Sequence, residues 1–77
     1  MNGKTNLTTQ IAEKRRCLRN EYGGLMSLTD LRRELRLSPV DAKLWGQENG
    51  VGLLIGRRIK YDTDAVAKRL VEMRGMC

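Results

Sequence analysis

Residues 28–41 read LTDLRRELRLSPVD and contain the signals for two consecutive helices. Leu28, Leu31 and Leu35 recur at spacings of three and four, which is the period of one helical face. Ser38-Pro39 then starts a new helix, because serine caps a helix N-terminus and proline suits the first helical position. A connection of about three residues forces the two helices to cross steeply instead of lying side by side.

The boundaries of this helix pair follow from its capping residues. The first helix is predicted over residues 30–36, with Ser27 or Thr29 as its N-cap. The second is predicted over residues 38–49, because the Ser-Pro-Val-Asp pattern that ends at Asp41 is typical of a capping box. An Asn-Gly dipeptide follows this helix and tolerates the positive φ of a helix C-terminus.

Downstream of the helix pair, the sequence predicts a small basic β-hairpin. Residues 51–61 are rich in β-branched and aromatic side chains and contain no acid. We therefore expect strands over residues 53–55 and 58–61, joined by a turn at Gly56-Arg57.

Further helices are expected on both sides of this unit. Residues 8–20 place Ile11 and Leu18 on one face, and a pair of glycines ends that helix. A last helix begins with Asp62 as N-cap. The chain is thus divided into a disordered N-terminus (1–6), an amphipathic helix (7–24) and a folded domain (25–74).

The composition favours a polyanionic partner. The 77 residues suffice for one domain with a modest core. Fifteen Lys and Arg oppose nine Asp and Glu, giving a net charge of +6 and a pI of about 9.9. Ten of the cations are arginine, which pairs bidentately with phosphate and guanine. The expected partner is nucleic acid or an acidic membrane surface, while the alternative is that the charge only supports solubility.

The residue inventory argues against catalysis. The chain has no histidine, and Cys17 and Cys77 are its only cysteines. Two isolated thiols do not make a zinc site, and a cysteine nucleophile would lack its histidine partner. We therefore expect no enzyme activity, no metal, no cofactor and no small-molecule substrate. Without a membrane-spanning run or a secretory signal, a reducing cytoplasm is the expected compartment, in which Cys17 packs as a small apolar residue.

The order of elements from residue 28 to 70 carries a family resemblance. Its residues are the Leu-rich segment 28–35, Ser38-Pro39, Trp45, Gly50 and the segment 55–62 with its Gly-Arg-Arg sequence. This pattern resembles the winged helix-turn-helix of phage and mobile-element excisionases, a plan shared with AlpA-type regulators and the MerR-like DNA-binding domain. The resemblance implies a mainly α fold with a small β-hairpin as the wing, and here an extra N-terminal helix.

The resemblance also implies a function and a setting. It indicates a bacterial or phage-encoded DNA-binding protein, an excisionase or a transcriptional regulator, associated with the nucleoid. Its partners would be double-stranded DNA and either an integrase or further copies of itself on adjacent sites. It implies neither a membrane partner nor a small-molecule one.

The expected DNA contacts follow from helix-turn-helix geometry. The helix over residues 38–49 would enter the major groove, and the wing over residues 53–61 would lie on the phosphate backbone. Gln47 suits adenine, Lys43 suits guanine or phosphate, and Val40 suits a thymine methyl group. The predicted DNA-binding residues are Arg32, Arg36, Ser38, Val40, Lys43, Gln47, Arg57, Arg58 and Lys60.

Several side chains have a structural alternative. Asp41 is expected to cap its helix rather than read a base, and at least one arginine of residues 32–36 is expected to pair with a local acid such as Glu34. Trp45 is expected in the core. The core is expected to be completed by Leu28, Leu31, Leu35, Ile55, Ile59, Val66 and Leu70.

Two other functions compete with DNA binding. Ile11, Leu18 and Tyr22 form a stripe along the N-terminal helix, which would suit a protein-interaction module that binds itself or a partner. The cations of this helix either extend the DNA footprint or form its solvated side. RNA binding ranks third, because aromatic side chains for base stacking are scarce.

Overall fold

The computed structural model describes residues 7–74 and shows a mainly helical chain with a small sheet. This coarse architecture confirms the predicted mainly α composition with a β-hairpin. The segment 1–6, predicted to be disordered, lies outside the described residues. The elements are α1 (Leu7–Tyr22), β1 (Leu25–Met26), α2 (Leu28–Leu35), α3 (Pro39–Glu48), β2 (Gly52–Ile55), β3 (Arg58–Asp62) and α4 (Thr63–Arg74).

Helix α2 begins two residues before the predicted start because of a complete capping box. The Ser27 hydroxyl accepts from the Asp30 N–H at 3.1 Å, and the Asp30 carboxylate accepts from the Ser27 N–H at 3.1 Å. The helix ends at Arg36, which is left-handed with φ 59°. The next N–H, from Leu37, donates to the Arg32 carbonyl at 3.0 Å. This tight ending turns the chain toward α3 within three residues.

Helix α3 starts and ends as predicted, with one difference at its cap. The Ser38 hydroxyl accepts from the Asp41 N–H at 3.2 Å. Among the described residues, no bond returns from the Ser38 N–H to the Asp41 carboxylate, so the predicted capping box is only half formed. Asp41 still lies in the first turn, where the helix dipole stabilises a negative charge. At the other end, the Asn49 side chain donates to the Trp45 carbonyl, and Gly50 takes φ 64°.

The sheet has the strand order β1-β3-β2 and is antiparallel throughout. The predicted hairpin is confirmed, and each strand is one residue longer than expected. Ile55 pairs with Arg58 across the two-residue turn. Gly56 has φ 63°, which suits the first central position of a type II′ turn. Strand β1, which pairs with the base of β3, was not predicted because two residues are too few to show a period.

A single cluster of buried side chains joins the helices to the base of the sheet. Trp45, Leu28 and Leu35 pack against this cluster, in agreement with the prediction. Ile55 and Ile59 were expected in the core but are exposed, because the hairpin projects away from the cluster and only its base enters it. The cluster consists of Leu18, Met26, Leu31, Ala42, Val51, Tyr61, Val66, Ala67 and Leu70.

Polar contacts hold α1 against the other helices. Glu34 of α2 accepts from Lys14 at 3.3 Å and from the Tyr22 hydroxyl at 3.1 Å. An arginine of residues 32–36 was expected to pair with Glu34 or another local acid. This expectation is wrong, because Glu34 bonds to α1 and none of these arginines has an ion pair with a described residue. Arg19 pairs with Asp64 of α4 at 2.9 Å. Cys17 is exposed instead of packed, because it lies on the solvent side of α1.

Candidate nucleic-acid interface

Helix α3 has one buried side and one outward side. Ala42 and Gly46 are buried against the rest of the protein, one helical turn apart. At 100° per residue, the opposite side is centred on Val40 and Leu44, with Gln47 toward one flank and Glu48 toward the other. All four are exposed, with Val40 at 75% and Leu44 at 50%.

The charges of α3 are separated between its two flanks. The helix has one cation, Lys43, and two acids, Asp41 and Glu48. Two residues correspond to 200° of rotation, so Asp41 points away from Lys43, and Glu48 shares the flank of Asp41 because seven residues make two turns. Lys43 and Gln47, one turn apart, lie on the flank that faces the hairpin. The helix as a whole has one more acid than cation. Both acids lie on the flank away from the hairpin, so the side of α3 that faces the hairpin carries only the positive charge of Lys43.

An apolar groove of about 330 Å³ separates α3 from the hairpin. Lys43 and Gln47 line its helical side. Leu54 and Ile59, which are cross-strand partners, line its sheet side. This groove places hydrogen-bonding groups beside exposed apolar side chains.

A second groove, of about 370 Å³, is lined by cations from both α3 and the hairpin. Its lining includes Lys43 of α3 together with Arg57, Arg58 and Lys60 of the hairpin. No acidic residue lines it, and none of the four cations has an ion pair with a described residue. We call this set the basic groove. The absence of internal partners leaves its positive charge available to an anionic ligand.

The contact between Tyr61 and α3 positions the two grooves. Tyr61 lies at the base of β3 and is 2% exposed, and its ring is next to Gly46. Burial raises the pKa of its phenol above the usual value. Because glycine has no side chain, the sheet approaches α3 closely enough for both elements to line the same grooves.

The structure brings together five of the nine predicted DNA-binding residues around these grooves: Lys43, Gln47, Arg57, Arg58 and Lys60. Ser38 and Val40 are exposed at the start of α3 and line neither groove. Arg32 and Arg36 line neither groove, although both are exposed and have no ion pair with a described residue.

The cations of α1 divide into two groups. Lys14 and Arg19 form internal ion pairs with Glu34 and Asp64. Arg15 and Arg16 are exposed and line a separate depression, which also contains Asp64. This depression shares no residue with the basic groove, so α1 does not extend it directly.

Two features of the site were not anticipated from the sequence. The exposed Leu54 was not assigned a place at the interface, and Ile59 was placed in the core. Residues 52–55 read Gly-Leu-Leu-Ile and do not alternate between polar and apolar, so no period-2 signal separates an inner face from an outer one.

None of the helices in residues 7–74 has the length and apolar character needed to cross a membrane. No protein-family model matches the chain, and no curated protein or solved structure is significantly similar to it.

Proposed function

We propose that this chain is a winged helix-turn-helix protein that binds double-stranded DNA, with α3 in the major groove and the β2–β3 hairpin on the phosphate backbone. The observation that carries the proposal is the basic groove, in which one cation of α3 and three of the hairpin line the same surface without an acid. Arginine and lysine side chains bind DNA phosphates, and such contacts position a protein on the duplex.

The dimensions of α3 suit the major groove. An α-helix with its side chains is about 10–12 Å across, and the major groove is about 12 Å wide and admits it. The ten residues of α3 extend about 15 Å along the helix axis. Val40 and Leu44 point away from the protein and Gln47 is exposed on the hairpin side of them, so that all three would meet base edges. The acids Asp41 and Glu48 lie on the flank away from the hairpin, so they do not oppose the phosphates that the hairpin would contact.

The order α2, tight turn, α3, hairpin, α4 supports the assignment to the excisionase and regulator type. In this arrangement the first helix of the motif crosses the DNA backbone. Arg32 on α2 and Arg36 at its C-cap are exposed and would reach phosphates there. We infer the same class of biological role, in which a small protein shapes DNA or controls transcription together with neighbouring copies or an integrase.

The interaction surface on α1 is a weaker candidate for the main function. Leu18 is buried in the core, and Tyr22 packs against the same cluster. Two of the three residues of the apolar stripe, Leu18 and Tyr22, therefore already make contacts within the chain. DNA binding accounts for the unpaired cations, which a partner on α1 would leave unexplained.

A salt titration tests the proposal. Fluorescence anisotropy with a labelled 20-base-pair duplex would measure the dissociation constant between 50 and 200 mM salt. Four phosphate contacts predict a slope of about −4 in a plot of log affinity against log salt. Absence of binding, or an affinity that does not change with salt, would overturn the proposal.

A further inference from the structure

Two large apolar side chains occupy the most exposed part of α3. Val40 is 75% exposed and Leu44 is 50% exposed, and they lie one turn apart on the outward side. Both fall outside the buried cluster, which α3 enters through Ala42. Their hydrophobicity therefore adds little to folding and is available to a ligand.

The surroundings of this pair limit the kind of ligand. On the hairpin side, Lys43 lies beside Leu44 and also lines the basic groove, and Gln47 follows it. On the other side, the acids Asp41 and Glu48 border the pair. A complementary ligand therefore has small apolar groups between hydrogen-bonding edges and presents anions on the side that meets the hairpin. The major groove of duplex DNA meets this description, because the 5-methyl group of thymine lies between base edges and is flanked by phosphates.

We infer that Val40 and Leu44 contact methyl groups at pyrimidine C5, so that the site prefers thymine in the major groove. This inference rests on the proposed function. Gln47 adds a donor and an acceptor that pair bidentately with adenine. An apolar pair one turn from a glutamine therefore favours A·T base pairs over G·C pairs.

Two pairs of defined DNA polymers isolate the methyl group. Poly(dA-dT) and poly(dA-dU) duplexes differ only in the 5-methyl group of the pyrimidine, as do poly(dG-5-methyl-dC) and poly(dG-dC). Their minor-groove edges are the same within each pair. Removing one methyl-sized group from water is worth about 0.8 kcal/mol, which corresponds to roughly fourfold in affinity. We expect the full chain to bind the methylated member of each pair at least about fourfold more tightly.

Side-chain variants connect the effect to α3. The double variant Val40→Ser and Leu44→Ser is expected to bind methylated and unmethylated polymers equally, with the wild-type salt slope retained. Met73→Ser is the matched control, because Met73 is 53% exposed on α4 and lies outside both grooves. It should keep the full methyl preference. Circular dichroism would establish that all three chains are folded.

The outcomes separate this inference from the proposed function. Salt-dependent binding with no methyl preference would overturn the inference and leave DNA binding standing. A methyl preference that survives in the double serine variant would overturn the role of Val40 and Leu44. Failure to bind any of the four polymers would overturn both proposals.

Discussion

The ring of Tyr61 lies directly against the Cα atom of Gly46. A Cβ atom at Gly46 would stand 2.5 Å from Cε1 of the ring and 3.1 Å from Cδ1. Gly46 is in the middle of α3, and Tyr61 is at the base of β3. This contact therefore sets how closely α3 approaches the hairpin, and with it the position of Lys43 relative to Arg57.

Replacing Gly46 with alanine is expected to destabilise the protein. In a free helix the same change stabilises by about 1 kcal/mol, because glycine is a poor helix former. Here the added methyl group overpacks against the Tyr61 ring, at a cost of about 1–3 kcal/mol. Urea denaturation of Gly46→Ala should show a lower free energy of unfolding, and the affinity for DNA should fall as well.

A double-mutant cycle checks the cause of this effect. In the background of Tyr61→Leu, which removes the ring, Gly46→Ala is expected to be neutral or stabilising. If Gly46→Ala stabilises the wild-type chain too, the contact with Tyr61 does not restrict position 46.

The hairpin cations are expected to contribute affinity without sequence preference. Replacing Arg57 and Arg58 with alanine removes two cations from the basic groove and should reduce the salt slope by about 2. Because phosphates are the same in every sequence, binding should weaken equally for all duplexes. Gln47→Ala should instead change which sequence is preferred.

The matched control for the hairpin variant lies on α1. Arg15→Ala with Arg16→Ala removes the same charge from exposed positions outside both grooves. Anisotropy titrations should show a clearly smaller effect on the slope. Equal effects of the two double variants would mean that total charge, not the basic groove, governs binding.

Local signals in the sequence predicted the elements well. Ser38-Pro39 gives the start of α3, and the Gly56-Arg57 turn gives the hairpin, because capping and turn conformations depend on residues that are adjacent in the chain. The start of α2 was placed two residues late, since Ser27 was only one of two candidate caps.

Features that depend on distant residues could not be predicted in the same way. Glu34 bonds to Lys14 and Tyr22 of α1, although arginines are its immediate neighbours. The period of β3 indicates which residues share a face but not how far the hairpin projects, so Ile59 was wrongly placed in the core. The basic groove likewise depends on packing, because Lys43 and Arg57 are on separate elements.

Arg36 is expected to lower the stability of the folded protein while contributing a contact to DNA. It is the only residue other than glycine with a positive φ in residues 7–74, and the left-handed conformation costs an L-residue about 1–2 kcal/mol. Glycine has no such strain but loses more entropy on folding, so Arg36→Gly should stabilise by about 0.5–1 kcal/mol net. Thermal denaturation should show a rise in Tm of about 4 °C. Affinity for DNA should fall, because an exposed cation is lost.

Arg36→Ala separates the two effects. Alanine removes the same cation but keeps the strained backbone, so the affinity for DNA should fall as in the glycine variant while Tm does not rise. A glycine variant with wild-type affinity would show that Arg36 makes no contact with DNA.

Tyr22 is expected to make stability depend on pH in the alkaline range. Burial raises the pKa of its phenol from 10.0 to about 12, with the hydrogen bond to Glu34 and the negative charge of Glu34 adding to the effect. The folded state thus keeps this proton when the unfolded state has begun to lose it. The resulting stability is fully present below pH 10 and is lost as the pH rises from 10 to 12.

Tyr22→Phe isolates this contribution. At pH 8 the variant should be less stable by about 1 kcal/mol, because the hydrogen bond to Glu34 is lost. Above pH 10 the difference from wild type should shrink, since only the wild type has this tyrosine to ionise on unfolding. Urea denaturation of both chains between pH 8 and pH 11 measures that difference, in which the titration of Tyr61 largely cancels. A difference that stays constant over this range would show that the phenol ionises equally in the folded and unfolded states, and that its bond to Glu34 does not hold α1 against α2.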